Sequence, residues 1–263
     1  MSRDRGSRHH RPVITWLRRT CHGLVDLVFP LHCAGCGRTG TGLCDDCGGA
    51  LGGLRRVARP LLAAGPPVYA LGRYAGAARR AVLAYKENGQ RHLAEPFGRL
   101  LASASRGVAE LHGWRTDRPW AVVPAPSRAI ASRRRGGAHM ARVACSMAES
   151  QEPRAEVADC LVTGAGARDS AGLDAAERVR NLSGGVVVRT GSLPAQAARI
   201  VLIDDVITTG ATVASSLAAL GSRGVEVDVV LSLTATAGRG EQVSPAAPNG
   251  RRNSARGRTV PRV

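Results

Sequence analysis

Aromatic side chains and long hydrophobic runs are both scarce in this sequence. Phe, Trp and Tyr together make up 3% of the 263 residues, so a core must be built mainly from Val, Leu, Ile and Ala. No stretch approaches the roughly 20 apolar residues that a membrane-spanning helix needs. The apolar run at residues 24–31 is interrupted by Asp26 and Pro30, which does not suit a secretion signal. We therefore expect a cytoplasmic protein with one sizeable domain and a small accessory module.

Lysine is almost absent from a strongly basic chain. Lys86 is the only lysine among 37 basic residues, and no Gly-Lys-Ser/Thr phosphate loop occurs. The formal net charge is +17, of which residues 1–20 and 238–263 carry +5 each, leaving +7 for the rest. These two polar ends are predicted to be disordered, either solvated or in non-specific contact with nucleic acid or anionic lipid. The modest remaining charge and the few aromatic side chains do not favour a dedicated nucleic-acid groove.

The chain divides into four predicted segments. A basic leader with an amphipathic helix covers residues 1–30, a Cys- and Gly-rich module covers 31–53, and a basic tail covers 238–263. In the segment at 65–237, strand-like and helix-like patterns alternate. Strands are predicted at residues 68–74, 120–123, 186–188, 199–203 and 225–233, and helices at 96–112, 138–149 and 211–220. This alternation predicts an α/β fold with a mostly parallel, doubly wound sheet.

The most informative pattern lies at residues 200–212. Four apolar residues precede Asp204 and Asp205, and the segment Thr208-Thr-Gly-Ala-Thr212 then opens a helix. Ligands of open α/β sheets bind at the carboxyl ends of strands, and a helix start offers unpaired N–H groups to an anion. Adjacent carboxylates accept hydrogen bonds from a vicinal diol such as that of ribose, and they approach Mg²⁺ through water. The pattern predicts a site for a phosphorylated ribose, with an ordinary strand–loop–helix turn as the alternative.

Four of the seven cysteines form two Cys-x-x-Cys pairs separated by seven residues. The pairs are Cys33 with Cys36 and Cys44 with Cys47. Thiolates at this spacing present two knuckles to one tetrahedral Zn²⁺, and a four-thiolate site is closed, which assigns it to folding rather than catalysis. The alternatives are an iron–sulfur cluster, a redox dithiol, or a lipoprotein-like signal at residues 33–36, although Cys33 stands where such a signal has Leu.

A second strand end is predicted at Val122-Val-Pro-Ala-Pro126. It is followed by Arg128 and by the run at residues 133–135. Guanidinium groups beside a strand end suit a pyrophosphate group. A solvated basic loop is the alternative.

Residues 200–212 resemble the motif that binds phosphoribosyl pyrophosphate (PRPP) in type I phosphoribosyltransferases. In that family the acids hold the ribose hydroxyls and the loop holds the 5′-phosphate. Over residues 25–235 the chain resembles the ComF family of competence-associated proteins, which combines a four-cysteine ribbon, a lysine segment, Val-Pro-x-Pro, Arg-Arg-Gly, Arg-x-x-Asn and the PRPP loop in this order. The resemblance implies a type I phosphoribosyltransferase-like sheet flanked by helices, an amino-terminal zinc ribbon, and Mg²⁺ with PRPP.

The resemblance also implies roles for individual residues. It assigns Asp204, Asp205 and Lys86 to catalysis, and Cys33, Cys36, Cys44 and Cys47 to structural Zn²⁺. The residues that it assigns to PRPP binding are Thr208, Thr209, Gly210, Ala211, Thr212, Pro124, Ala125, Pro126, Arg135, Arg178 and Asn181. The region around the last two, after a Gly-rich stretch at 164–172, is the candidate for a mobile loop over the reaction centre.

Two departures from the family pattern concern the acceptor side. The family's Arg-Gly-Phe-Asn-Gln stretch reads Arg135-Gly-Gly-Ala-His139 here, and a usual Gln is replaced by Ser170. No acceptor is therefore specified, and two functions stay open. One is PRPP-dependent phosphoribosyl transfer in nucleotide metabolism. The other is a non-catalytic accessory role in DNA uptake, as a PRPP sensor or as a single-stranded DNA binder beside a helicase.

Overall fold

The computed structural model describes residues 31–115, 118–126, 139–152, 154–163, 185–195 and 198–238. The predictions for the leader, for nearly all of the tail and for the loop at 164–172 lie outside the described residues. The same holds for Arg128, Arg135, Arg178 and Asn181.

Helices and strands alternate along the described residues, as the sequence predicts. The helices are α1 (Asp45–Gly49), α2 (Gly76–Lys86), α3 (Ala94–Leu111), α4 (His139–Glu149) and α5 (Ala211–Gly221). The strands are β1 (Arg55–Arg56), β2 (Val68–Arg73), β3 (Trp120–Pro124), β4 (Glu156–Val157), β5 (Leu161–Thr163), β6 (Val186–Val188), β7 (Arg199–Ile207) and β8 (Val229–Ala235). Short 3₁₀ helices occur at Pro60–Leu62, Arg91–Leu93 and Thr190–Ser192.

Six strands form one mostly parallel sheet in the order β1-β2-β8-β7-β3-β4. Strand β1 runs antiparallel to β2, and the other neighbours pair in parallel. After β3 the chain forms α4 and then β4, which lies on the side of β3 that faces away from β7. After β7 it forms α5 and then β8, which lies on the side of β7 that faces away from β3. Helices α4 and α5 pack into two different core clusters. The boundary between β3 and β7 is therefore a topological switch point, where the carboxyl ends of strands leave a crevice for a ligand.

The central strands carry nearly continuous apolar runs because helices cover the sheet on both faces. All seven residues of β8 are buried, as are residues 199–205 of β7. Helix α3 supplies Phe97, Leu101 and Val108 to the core, as its 3.6-residue period predicts. Leu111, the last residue of α3, is 61% exposed.

Three predicted elements need correction. Strand β7 continues to Ile207 rather than ending at 203, because β8 extends the ladder through Asp204 opposite Ser232 and Val206 opposite Thr234. Strand β8 begins at Val229 rather than 225. Strand β6 pairs with β5 in a separate antiparallel sheet rather than joining the main one.

Helix α2 has no counterpart among the predicted helices. Its buried face consists of Ala78, Ala81, Val82, Ala84 and Tyr85. Three of these five residues are alanines, so the apolar stripe is too weak to be seen as a period in the sequence. No helix in the described part of the chain is both long and apolar enough to span a bilayer.

Candidate functional site

An acid pair lies within β7, at the carboxyl edge of the sheet. Asp204 and Asp205 are both buried, and the backbone N–H of Asp205 donates to Oδ1 of Asp204 at 2.8 Å. On the β8 side, the hydroxyl of Thr234 donates to the backbone oxygen of Asp205 at 3.2 Å. The backbone of Asp205 is therefore hydrogen-bonded both to the carboxylate of Asp204 and to β8.

Two donors from different helices meet the carboxylate of Asp205. Nζ of Lys86, the last residue of α2, lies 2.8 Å from Oδ2. Nε2 of His139, the first residue of α4, lies 2.8 Å from the same oxygen. Lys86 is thus brought to the acid pair as the sequence predicts, whereas His139 was not among the predicted site residues.

The two acids differ in their electrostatics. Burial, followed by the charge of Asp205, raises the pKa of Asp204 to about 8. Burial acts in the same direction on Asp205, but the hydrogen bond from His139 and the charge of Lys86 outweigh it and lower its pKa to about 2. Burial disfavours the charged form of Lys86, yet the charge and hydrogen bond of Asp205 raise its pKa. Near neutral pH the site therefore holds a Lys86–Asp205 ion pair beside a carboxyl whose pKa is raised.

The loop that follows the acid pair is exposed and opens helix α5. Gly210 is the N-cap residue and has φ 85° and ψ 7°, a left-handed conformation that favours glycine. A Cβ at this position would lie 2.8 Å from Cδ1 of Leu62, so the close contact between the loop and Leu62 also favours glycine. Thr208, Thr209, Ala211 and Thr212 are exposed around it. The helix begins at the position that the sequence predicts, and the N–H of Ala211 donates to Oγ1 of Thr209 at 3.4 Å. Anion binding by the N–H groups and hydroxyls of this helix start stays a prediction.

Arg59 is hydrogen-bonded to the backbone of the loop. Its Nε donates to the backbone oxygen of Thr208 at 2.6 Å, and its Nη2 donates to the backbone oxygen of Thr236 at 2.5 Å. Arg59 is buried, and the two carbonyls belong to the chain segments that follow β7 and β8. The guanidinium therefore links the ends of two neighbouring strands. No sequence pattern pointed to this arginine, because these two partners lie 149 and 177 residues away in the chain.

The predicted second strand end lies beside the acid pair. Pro124, the last residue of β3, is opposite Ile203 in the parallel ladder, and the N–H of Ala125 donates to the backbone oxygen of Ile203 at 2.8 Å. Ala125 is buried and Pro126 is half-buried. Both sides of the crevice at the switch point are therefore formed by residues that the sequence singled out.

The four predicted cysteines come together in one cluster. Their Sγ atoms all lie within 4.8 Å of one another, with Cys44 at 3.6 Å from Cys33 and 3.7 Å from Cys36. Zn–S bonds of about 2.3 Å in a tetrahedron imply sulfur separations of about 3.8 Å, so the cluster has the size of a four-thiolate site. Burial opposes ionisation of Cys33, but backbone N–H groups led by that of Cys44 lower its pKa to about 6. The cluster could hold a metal ion, consistent with structural zinc.

The cysteine cluster packs directly against helix α2. Nε of Arg80 donates to the backbone oxygen of Gly35 at 2.5 Å, and Ala77 contacts the buried cysteines. A Cβ on Gly35 would lie 2.6 Å from Sγ of Cys47, so only glycine allows this approach. Because α2 ends at Lys86, the cysteine module supports the same helix that delivers the lysine to the acid pair.

The fold and the site define a mixed α/β protein with a mostly parallel six-stranded sheet, an acid pair at its switch point and a four-cysteine cluster near its amino end. Comparison of the chain with protein-family models gives no match, and comparison with curated proteins gives none at the threshold applied.

Proposed function

We propose that the chain binds PRPP, or another phosphorylated ribose, with Mg²⁺ in the crevice between β3 and β7. We further propose that it transfers the phosphoribosyl group of PRPP to an acceptor, as a ComF-type protein with a type I phosphoribosyltransferase-like fold. One observation carries the proposal: the buried pair Asp204–Asp205 lies immediately before an exposed helix-start loop at Gly210, at the switch point of a parallel sheet.

Each part of the site has a role in the proposed complex. The loop at residues 208–212 receives the 5′-phosphate, and Asp204 and Asp205 accept hydrogen bonds from the ribose hydroxyls. Lys86 adds a positive charge beside Asp205, which favours a ligand with several phosphates. Mg²⁺ would supply neutralising charge to the pyrophosphate group.

The proposed reaction is a displacement at C1 of the ribose. A bond forms between C1 and a nucleophilic atom of the acceptor while the bond from C1 to the pyrophosphate oxygen breaks. The acceptor gives up a proton, and pyrophosphate leaves. The residues named here act by positioning and by electrostatic stabilisation of the positive charge that develops on the ribose, rather than by covalent chemistry.

We also propose that the four-cysteine cluster holds Zn²⁺ as a structural ion. The sulfur separations and the closed set of four thiolates support this assignment. Measuring the zinc content of the purified protein tests it, and a zinc-free, fully folded protein would contradict it.

Calorimetry with Mg-PRPP tests the central proposal. We expect the wild-type protein to bind and Asp205→Asn to bind about tenfold to a hundredfold more weakly, since a hydrogen bond to a charged group contributes about 1.5–3 kcal/mol. Asp204→Asn should lose about twofold to tenfold in affinity, since the pKa of Asp204 is raised and a hydrogen bond to a neutral group contributes about 0.5–1.5 kcal/mol. The matched control is Glu110→Gln, which removes an exposed carboxylate near the end of α3. That end of the helix lies on the opposite, amino side of the sheet, where Trp114 packs beside Trp120. Absence of binding by the wild type would remove the proposal.

A second measurement separates transfer from sensing. Pyrophosphate release is screened over free bases and amines with the wild-type protein. Release with one acceptor supports phosphoribosyl transfer, whereas binding without release for any acceptor favours a PRPP sensor. Salt-dependent binding of single-stranded DNA by a chain that lacks residues 1–20 and 238–263 would instead favour the DNA-uptake role.

A further inference from the structure

Side chains from two helices meet one carboxylate oxygen of a strand residue. Oδ2 of Asp205 on β7 lies 2.8 Å from Nζ of Lys86 on α2 and 2.8 Å from Nε2 of His139 on α4. His139 and Asp205 are both buried, so water competes little for these contacts. The proposed ribose-binding carboxylate is thus attached to the two helices on one face of the sheet.

Tyr85 connects the two donors to each other. Its hydroxyl donates to the backbone oxygen of His139 at 2.5 Å, and its ring packs edge-on against the His139 ring with centroids 5.9 Å apart. Burial raises the pKa of Tyr85 to about 12, so the phenol remains a donor at neutral pH. Since Tyr85 immediately precedes Lys86, both donors are held in position by the same end of helix α2.

The hydrogen-bond chemistry of a carboxylate explains what this arrangement does. One carboxylate oxygen has two lone pairs, and Lys86 and His139 fill the two sites on Oδ2. Two donors from different helices restrict rotation of the carboxylate. To donate to Asp205, the imidazole of His139 must carry a proton on Nε2. A glutamine side chain at this position would place an amide N–H donor at a similar distance from the backbone.

We infer that His139 is a positioning residue, which together with Lys86 fixes the orientation of the Asp205 carboxylate before a phosphorylated ribose binds. The inference rests on the proposed function, because it assigns a role within the same site. His139 acts through Asp205, to whose carboxylate its Nε2 is hydrogen-bonded.

Two amide substitutions of different length test this role. His139→Gln retains a donor that reaches Asp205, whereas His139→Asn is one methylene shorter and does not reach it. Both variants replace the ring by a polar amide, so a difference between them reports donor reach rather than loss of the ring. Retention of the wild-type circular dichroism spectrum by both variants establishes that they are folded.

The first readout needs no ligand. Labelling lysine with ¹³C and ¹⁵N gives one side-chain signal, because Lys86 is the only lysine of the chain. We expect the ammonium resonance of Lys86 to stay near its wild-type position in His139→Gln and to move in His139→Asn. An unchanged resonance in His139→Asn would overturn the inference. This readout stands even where the wild type fails to bind Mg-PRPP, a result that would remove the proposed function alone.

The second readout is the dissociation constant for Mg-PRPP. We expect His139→Gln to remain within about threefold of the wild type and His139→Asn to bind at least about tenfold more weakly, since the lost hydrogen bond is made to a charged group. Equal affinities for the wild type and His139→Asn, or equal losses in both variants, would overturn the positioning role.

Discussion

Nζ of Lys86 lies 2.8 Å from Oδ2 of Asp205, and the two side chains differ sharply in exposure. The lysine side chain is 33% exposed, whereas the aspartate side chain is 5% exposed. The charge of a nearly buried carboxylate is thus compensated by an ammonium group that still contacts solvent. The ion pair joins the end of helix α2 to the strand that carries the acid pair, so it is relevant to stability and to the proposed ligand site alike.

We expect Lys86→Met to lower the free energy of unfolding by about 2 kcal/mol at pH 7. The loss should be smaller than the 3–5 kcal/mol typical of a fully buried pair, because Lys86 is one-third exposed. Arg99→Met is the matched control, since it removes a cation from an exposed ion pair with Glu95 and should cost less than about 1 kcal/mol. Chemical denaturation measures both values, and equal losses would show that the buried partner is unimportant.

Lys86→Arg should weaken Mg-PRPP binding although it preserves the charge. A planar guanidinium cannot take the place of a compact ammonium on Oδ2 while His139 occupies the other side of that oxygen. We expect a loss of about fivefold or more in affinity, comparable to a weakened hydrogen bond. The reverse exchange at an exposed site, Arg99→Lys, serves as the control and should leave the affinity unchanged. Identical affinities for Lys86→Arg and the wild type would contradict the prediction.

The raised pKa of Asp204 predicts a specific dependence of stability on pH. Burial and the charge of Asp205 move this pKa from 3.8 to about 8, so the folded protein keeps a proton that the unfolded chain releases near pH 4. The stability contributed by this protonated group is complete below about pH 4 and is lost as the pH rises to about 8, by at most about 1.4 kcal/mol per pH unit. We expect Asp204→Asn to gain stability relative to the wild type between pH 6 and pH 8.

Urea denaturation of both proteins at several pH values measures this difference. A constant difference between pH 6 and pH 8 would show that Asp204 is already ionised in the folded protein. The pH dependence of stability that Asp205 contributes has the opposite sign. Its pKa is lowered to about 2, so the stability that it contributes is lost as the pH falls from about 4 towards 2.

Gly210→Ala should destabilise the protein by about 1–3 kcal/mol and weaken Mg-PRPP binding. The backbone φ of 85° disfavours alanine, and the new Cβ would press against Leu62 at 2.8 Å. Gly221→Ala, at the end of the same helix, is the control because no atom lies within 4 Å of its Cβ position. A melting curve and a calorimetric titration of each variant test the prediction, which fails where both glycines tolerate alanine equally.

Removal of the proposed zinc should change the environment of Lys86. We expect Cys44→Ser to release the metal, lower the melting temperature and shift the lysine resonance, because the cysteine cluster packs on Ala77 and Arg80 of helix α2. Cys145→Ser, which replaces an exposed cysteine outside the cluster, should change neither metal content nor resonance. A metal-free Cys44→Ser protein with an unchanged Lys86 signal would show that the module and the site are independent.

Several parts of the site could be predicted because they are local in the sequence. The proposed phosphate-binding loop is a contiguous run, so the acid pair, Gly210 and the helix start follow one another in the chain as they do in space. The two Cys-x-x-Cys pairs are similarly close, and all four thiols meet as predicted. Helix α3 and the central strands have apolar patterns strong enough to predict from their period alone.

The rest depended on contacts between distant segments. His139 is 66 residues from Asp205 and was noticed only as a departure from a family pattern, and Arg59 is 149 residues from Thr208. Helix α2 was missed because alanine gives it a weak apolar stripe, although the tertiary packing buries that stripe completely.

The sequence by itself singled out the residues that we propose for a phosphorylated ribose and for a metal ion, because their residue types and short spacings are local features of the chain. Only the tertiary structure decided which strand lies beside β7, that both acids stand inside a paired strand, and that Lys86 and His139 share one oxygen of Asp205. The physical reason is that burial and strand order are properties of the whole packed core. A side chain acquires its partner and its pKa from neighbours that the local sequence does not contain.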